Sequence, residues 1–388
     1  MEQNLRDYIL KHTGQAAETP FYIYDLELLK NNLEALKKAS GRYGFKVHYA
    51  LKANSNENVL RLISQYISGA DCVSGNEVLK AAATGFDPSE IVFAGVGKSD
   101  KEIDNALDTN IFCFNCESVQ ELEVINERAT LKNKKARIAL RINPGVNAKT
   151  HHYITTGLEE NKFGINMWQM EQVLERLRVL DNLQLVGIHF HIGSQITDLQ
   201  PFRTLCNRVN EIIIWFQNRN IHLEHINVGG GLGINYHQPD EFPVPEYERF
   251  FKLFHESLRL KPGQDLHFEL GRAIVAHCGN LISRVLYVKE AAKTRFVILD
   301  AGMTELIRPA LYQSFHLIEN LSRHSQNADE IYDVVGPVCE SSDCFGKAVR
   351  LPLTQRGDII AIRSAGAYGE VMASSYNLRG PVKTCIKD

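Results

Sequence analysis

A lysine closes an apolar, strand-like run in Val47-His48-Tyr49-Ala50-Leu51-Lys52-Ala53-Asn54. At the carboxyl end of a buried strand its amine points into whatever space lies above the sheet, where poor solvation favours the neutral, nucleophilic form. Such an amine can hold an aldehyde cofactor as a Schiff base; a strand-end lysine can equally snorkel to solvent. Gly229-Gly230-Gly231-Leu232-Gly233 follows another apolar run. Glycines there let backbone amides cradle a phosphate, although such a cluster also serves as a tight turn, and it lacks the GxGxxG form of a dinucleotide site. Ser194, in His191-Ile192-Gly193-Ser194, can add a hydroxyl donor to the same phosphate or cap the next helix. Glu269 and Arg272 lie in Phe268-Glu269-Leu270-Gly271-Arg272. A carboxylate beside a ring nitrogen keeps that nitrogen protonated and the ring an electron sink; the plainer reading is an internal Glu–Arg ion pair. His191 can stack on a flat ring, and His189, two positions earlier, faces the same way by strand alternation.

These groups need a scaffold that brings them together. Apolar, β-branched runs recur at 47–54, 70–74, 91–96, 111–116, 136–143, 185–192, 225–230 and 266–270, with amphipathic helical patterns such as 58–63 and 169–180 between most of them. Eight alternations predict an α/β fold of the closed (β/α)8, TIM-type barrel kind, with a doubly wound open sheet as the competing layout. Nearly every run ends in a polar group: Lys52 and Asn54, Asp71 and Ser74, Arg141 and Asn143, His191 and Ser194, the triple glycine, then Glu269 and Arg272. Barrels carry their active sites at the carboxyl ends of the strands and commonly bind phosphate after strands seven and eight. After Gly279 the rhythm changes, and 279–289, 295–299, 331–335, 358–363 and 381–386 lack long intervening helices. The expected organisation is a barrel over 26–279 and a smaller β-rich domain over 280–388. The strand Phe21-Tyr22-Ile23-Tyr24, placed before the first helix, joins the second domain from within 1–25.

Composition narrows the partners. The chain has 388 residues, long for one ordinary domain, and 44% hydrophobic content supports a full core. A net charge of −3 with both signs dispersed gives no reason to expect a nucleic-acid surface, so a small molecule is the expected partner. The eight cysteines are scattered, as free thiols in a reducing compartment would be. Cys113 and Cys116 form a CxxC inside an apolar run, which reads as core rather than a metal site. Neither a signal-peptide pattern nor a bilayer-spanning stretch is visible, so a soluble, cytoplasmic protein with no membrane partner and no metal is expected.

Taken in order, Tyr49-Ala50-Leu51-Lys52-Ala53-Asn54, His191-Ile192-Gly193-Ser194, the glycine cluster, Glu269-Leu270-Gly271-Arg272, Cys339-Glu340-Ser341-Ser342-Asp343 and Gly366-Ala367-Tyr368 resemble the fold-type III, alanine-racemase-like decarboxylases that use pyridoxal 5'-phosphate. The resemblance spans about 21–382, with one departure: Leu270 stands where the family usually has proline. It implies that Lys52 bonds the cofactor aldehyde, His191 stacks on the ring and Glu269 pairs with its nitrogen. Ser194, Gly230, Gly231 and Tyr368 would hold the phosphate, and Asp71, Gly271 and Arg272 complete the cofactor set. It also implies a homodimer in which Cys339, the proton donor to carbon, and Glu340 serve the neighbouring subunit's site, while Lys162 pairs across the interface with Asp343. Arg272, Arg308, Tyr312, Glu340 and Tyr368 are the expected substrate contacts, two arginines suiting a second carboxylate and Glu340 a distal ammonium. The segment from Asp300 to Tyr312 is similar to members acting on meso-2,6-diaminopimelate, so the implied reaction yields L-lysine and CO2. Decarboxylation of ornithine, lysine, arginine or carboxynorspermidine is the alternative; a racemase and a cofactor carrier without turnover also stay open.

Overall fold

The computed structural model describes residues 1–15, 18–146, 162–323 and 326–388. They fall into two compact units, a barrel unit of residues 33–233 and 246–273 and a sheet unit of residues 1–32, 234–245 and 274–388. At the amino end, α1 (Gln3–Gln15) and β1 (Phe21–Asp25) belong to the sheet unit, and α2 (Leu26–Gly41) carries the chain into the barrel unit. There β2 (Lys46–Ala50), β3 (Gly69–Cys72), β4 (Ile91–Phe93), β5 (Cys113–Cys116), β6 (Ala136–Arg141), β7 (Leu183–His189), β8 (His225–Asn227) and β9 (Asp265–Leu270) close into a barrel in chain order. All neighbours are parallel, and the ring is sealed where β9 pairs β2, with Lys46 opposite His267 and His48 opposite Glu269. That closure excludes the open doubly wound sheet.

Strands buried on both faces read as continuous apolar runs, which is why all eight were visible in the sequence. The turns at their carboxyl ends are set by caps. In α3 (Glu57–Ile63) the Asn56 side chain accepts from Asn58 N, and in α4 (Gly75–Ala83) Ser74 accepts from Glu77 N. After α5 (Asp100–Thr109), the same device opens α6 (Val119–Leu131), where Ser118 accepts from Glu121 N. Each such bond satisfies a backbone N–H at a helix start and holds the preceding loop at the barrel mouth. The later barrel helices are α7 (Met170–Leu177), α8 (Gln200–Gln217) and α9 (Tyr247–Ser257). Cys113 and Cys116 are fully buried, and the described residues contain no cluster suited to a metal ion.

The chain leaves the barrel unit through α10 (Arg272–Val275), and the sheet unit then adds β10 (Gly279–Glu290), β11 (Arg295–Leu299), α11 (Arg308–Tyr312), β12 (Ile318–Asn320), β13 (Glu330–Val335), β14 (Cys344–Leu351), β15 (Ile359–Ile362) and β16 (Lys383–Lys387). Its order is β12-β15-β10-β11-β13-β14, and β1 pairs antiparallel with β10 and parallel with β16. One expectation is corrected here: β1 follows a helix rather than preceding the first one. Leu5 and Ile9, one turn apart in α1, bury the same face against Phe21, Ile23 and Ile282. Among the described residues no helix is long and apolar enough to cross a membrane.

Candidate active site

Lys52 lies just past β2, in a short turn of 3-10 helix over Leu51–Ala53. Its Nζ stands 3.0 Å from Asp71 Oδ2 at the end of β3, so the amine is engaged inward with a fully buried carboxylate. Burial and the negative charge of Glu269 push the Asp71 carboxyl up to about 6 even with Lys52 beside it. Asp71 Oδ1 is buried and has no hydrogen-bond partner among the described residues. Lys52, Arg141, His189, His191 and Glu269 line a cavity of about 420 Å³, a size suited to a small ligand.

Glu269 faces that cavity from β9. Its Oε1 accepts from Asn227 Nδ2 at 2.8 Å and from Asn115 Nδ2 at 3.3 Å, and its Oε2 lies 3.0 Å from His189 Nε2. Burial alone would raise the Glu269 carboxyl, but the charges of His189 and Lys52 and the histidine bond outweigh it and hold the group well below the ordinary carboxylate range. The ion pair with Arg272 is therefore not what Glu269 makes. Arg272 instead donates to Ser194 Oγ, at 3.0 Å from Nη2 and 3.3 Å from Nε. Burial, reinforced by the cations Lys52 and Arg141, keeps the His191 imidazole well below its usual range and hence neutral, and its Nδ1 accepts from Gly230 N at 3.3 Å.

The glycine cluster is forced by close approach. A Cβ on Gly230 would sit 1.8 Å from the Glu269 carbonyl oxygen, and Gly229 and Gly231 adopt φ of +70° and +110°. Gly231 O accepts from Ile196 N at 2.8 Å and a Cβ on Gly231 would lie 2.7 Å from the carbonyl oxygen of Gly193, so the loops after β7 and β8 are tied together where Ser194 follows Gly193. Gly271 has equally little room, since a Cβ there would come within 2.8 Å of the Ala53 Cβ. The barrel unit thus gathers Lys52, Asp71, His191, Ser194, Gly230, Gly231, Glu269, Gly271 and Arg272. The sequence pointed to His189 only as a neighbour of His191 and did not single out Asn115 or Asn227; the available signal was polarity inside wholly buried strands, where every such group needs a partner.

The remaining expected site residues belong to the sheet unit. Arg308 opens α11 and is only 4% exposed, with Nη1 at 3.0 Å from Tyr236 Oη and 3.2 Å from His316 Nε2, so it is not a surface arginine. Tyr312 is half-buried one turn later. Cys339 and Glu340 are exposed, and Glu340 Oε1 accepts from Tyr376 Oη at 3.1 Å. Tyr368 has φ of +57°. Asp343, expected to meet Lys162 of a neighbouring subunit, accepts from Met303 N at 2.6 Å, in the segment before α11, and from Val338 N of its own loop at 2.7 Å.

Comparison with known proteins places these residues in context. Residues 26–276 match the family model described as pyridoxal-dependent decarboxylase, pyridoxal binding domain. The chain is 56% identical over 363 residues to the diaminopimelate decarboxylase of Bacteroides thetaiotaomicron, covering 93% of this chain and 94% of that one. It is 45% identical over 370 residues to the diaminopimelate decarboxylase of Vibrio cholerae, covering 95% and 88%. The crystal structure of diaminopimelate decarboxylase from Helicobacter pylori complexed with L-lysine matches with a TM-score of 0.90 at 41% identity, over 98% of this chain and 94% of that one.

Proposed function

The chain belongs to the pyridoxal-dependent decarboxylases, and among them to the diaminopimelate decarboxylases, and we propose that it converts meso-2,6-diaminopimelate to L-lysine and CO2, the last step of lysine biosynthesis. The observation that carries this reading is an amine, Lys52 Nζ, held at 3.0 Å by a buried carboxylate in a cavity that Glu269 also lines. The residues present fit pyridoxal 5'-phosphate: Asp71 keeps a buried oxygen unpartnered, and Gly230 keeps a cleft that a Cβ would fill. When bound, the cofactor supplies a protonated aromatic ring that accepts the electron pair left on carbon as CO2 departs.

Each residue then has a task set by its chemistry. Lys52 would hold the cofactor through its aldehyde carbon, the aldehyde oxygen leaving as water, and Asp71 would steady the positive charge on that nitrogen. The neutral His191 imidazole offers a flat face to the ring, and Glu269 accepts from the ring nitrogen. Ser194, Gly230, Gly231 and Tyr368 hold the phosphate, with Arg272 and Gly271 completing that wall. Arg272, Arg308 and Tyr312 bind the distal carboxylate, whose planar oxygens match guanidinium donors. Glu340 takes the distal ammonium, and Cys339 Sγ delivers a proton to the carbon that lost CO2. Both act from a neighbouring subunit in a homodimer, and the protein works in the cytoplasm.

The test is CO2 release from meso-diaminopimelate with and without added cofactor, set beside ornithine, lysine and arginine. Turnover confined to diaminopimelate is expected; turnover of ornithine with none of diaminopimelate would overturn the substrate. Borohydride reduction of the holoenzyme should leave a pyridoxyl label on Lys52 alone.

A further inference from the structure

We infer that His189 is the positioning residue for Glu269: with two asparagine amides it fixes that carboxylate and leaves it one open acceptor site, beside the cavity that both residues line. The inference deepens the proposed function and rests on it. A carboxylate offers about four lone-pair sites. Asn115 and Asn227 take two on Oε1 and His189 Nε2 takes one on Oε2, so a single site remains, on Oε2. An ionised carboxylate only accepts, which makes Nε2 the protonated nitrogen of His189. The three donors come from β5, β8 and β7 while the acceptor is on β9, so the carboxylate cannot turn without breaking bonds to several strands.

His189 is also set apart from an ordinary buried histidine. Its Nδ1 is buried and has no hydrogen-bond partner among the described residues, where the hydrogen bond of the ring is the one to Glu269. Two buried carboxylates, Asp71 and Glu269, share the site with Lys52, which pairs with Asp71, and His189 is the titratable group in contact with Glu269. The asparagines orient Glu269 without charge. His189 orients it and, when protonated, favours its ionised form, which is the form able to accept from a protonated ring nitrogen.

The test compares wild type, His189→Leu and His189→Gln, each loaded with pyridoxal 5'-phosphate. Three readouts apply: cofactor affinity, the acid titration of the bound cofactor's visible absorbance, and the acid limb of kcat/KM. Leucine removes the donor and the capacity for charge, so affinity should fall about tenfold or more and both pH transitions should move upward by about one unit. Glutamine keeps a donor but cannot take a charge, so affinity should recover to within about threefold while the transitions stay raised. A histidine needed only for packing would lower the melting temperature and leave both transitions in place, and that result overturns the inference, as does a glutamine variant that does not recover affinity. Should the leucine variant fail to fold, an unmoved acid limb in His189→Gln overturns it alone. A wild type with no visible absorbance and no label on Lys52 would instead bring down the proposed function itself.

Discussion

Arg308 shows how much a single buried cation constrains. Its guanidinium is 4% exposed and held by Tyr236 and His316, so desolvation and side-chain ordering are already met in the fold before any ligand arrives. If it binds a distal carboxylate, Arg308→Lys keeps the charge but loses the planar fork, and KM for diaminopimelate should rise about 10- to 100-fold with kcat changed far less. A purely structural arginine would instead give a lower melting temperature with unchanged KM, and steady-state kinetics beside a thermal scan separates the two. The residues legible in the sequence were those whose type is unusual where they stand, such as a lysine, an aspartate or a glycine cluster ending an apolar run. The tie of His189, Asn115 and Asn227 to Glu269 could not be read there, because it joins positions 80, 154 and 42 residues apart, a relation only the closed barrel creates.

Among the elements, the loop after β8 and the end of β9 are packed so closely that the glycine loop and the strand carrying Glu269 form one construction. Gly230→Ala would drive a methyl group into the Glu269 carbonyl, and since the obstacle is backbone the strand must shift. A loss of about 3 kcal/mol of stability is expected from urea unfolding, together with weakened cofactor binding. Gly41→Ala is the matched control: it ends α2, nothing lies within 4 Å of the added carbon, and stability should stay the same or rise by up to about 1 kcal/mol. Equal losses in the two variants would contradict the close-approach argument. Burial also decides which elements could be read in advance. All eight barrel strands were visible because burial on both faces leaves an apolar run, whereas β12 reads Ile318-Glu319-Asn320 and β14 mixes exposed and half-buried positions with Lys347 and Arg350 in its span. Neither shows a clean alternation, so tertiary pairing rather than local pattern defines them. The helix α1 escaped for a related reason, its apolar face being little more than Leu5 and Ile9.

For the barrel as a whole, the seam where β9 meets β2 has a consequence for stability against acid. His48 on β2, His225 on β8 and His267 on β9 stack inside, with ring centroids 5.0 Å apart for His48 and His267 and 4.9 Å for His225 and His267. Facing glycines make room for them, since a Cβ on Gly69 would lie 2.4 Å from His48 Nδ1 and one on Gly187 2.4 Å from His225 Cε1. His48 Nε2 and His267 Nδ1 share a 2.8 Å hydrogen bond, while His267 Nε2 and His225 Nδ1 are buried and unpartnered among the described residues. Burial pushes His48 down to about 4 and His225 to about 3, with nearby cations Lys46 and Arg137 adding to it, and holds His267 well below its usual range. In the unfolded chain each would titrate near 6.5, so above that pH all three are neutral in both states and cost nothing. As pH falls from about 6.5 toward 4, the unfolded chain takes up protons that the barrel refuses, and stability drops by up to about 1.4 kcal/mol per pH unit for each histidine. Both tryptophans, Trp168 and Trp215, lie in the barrel unit, so their fluorescence in urea follows its unfolding. Wild type should lose stability steeply between pH 6 and about 4, and His225→Phe, with one proton fewer to refuse, should lose it about 1.4 kcal/mol per pH unit less steeply. Parallel slopes for the two proteins would mean that the histidine stack does not set the barrel's sensitivity to acid.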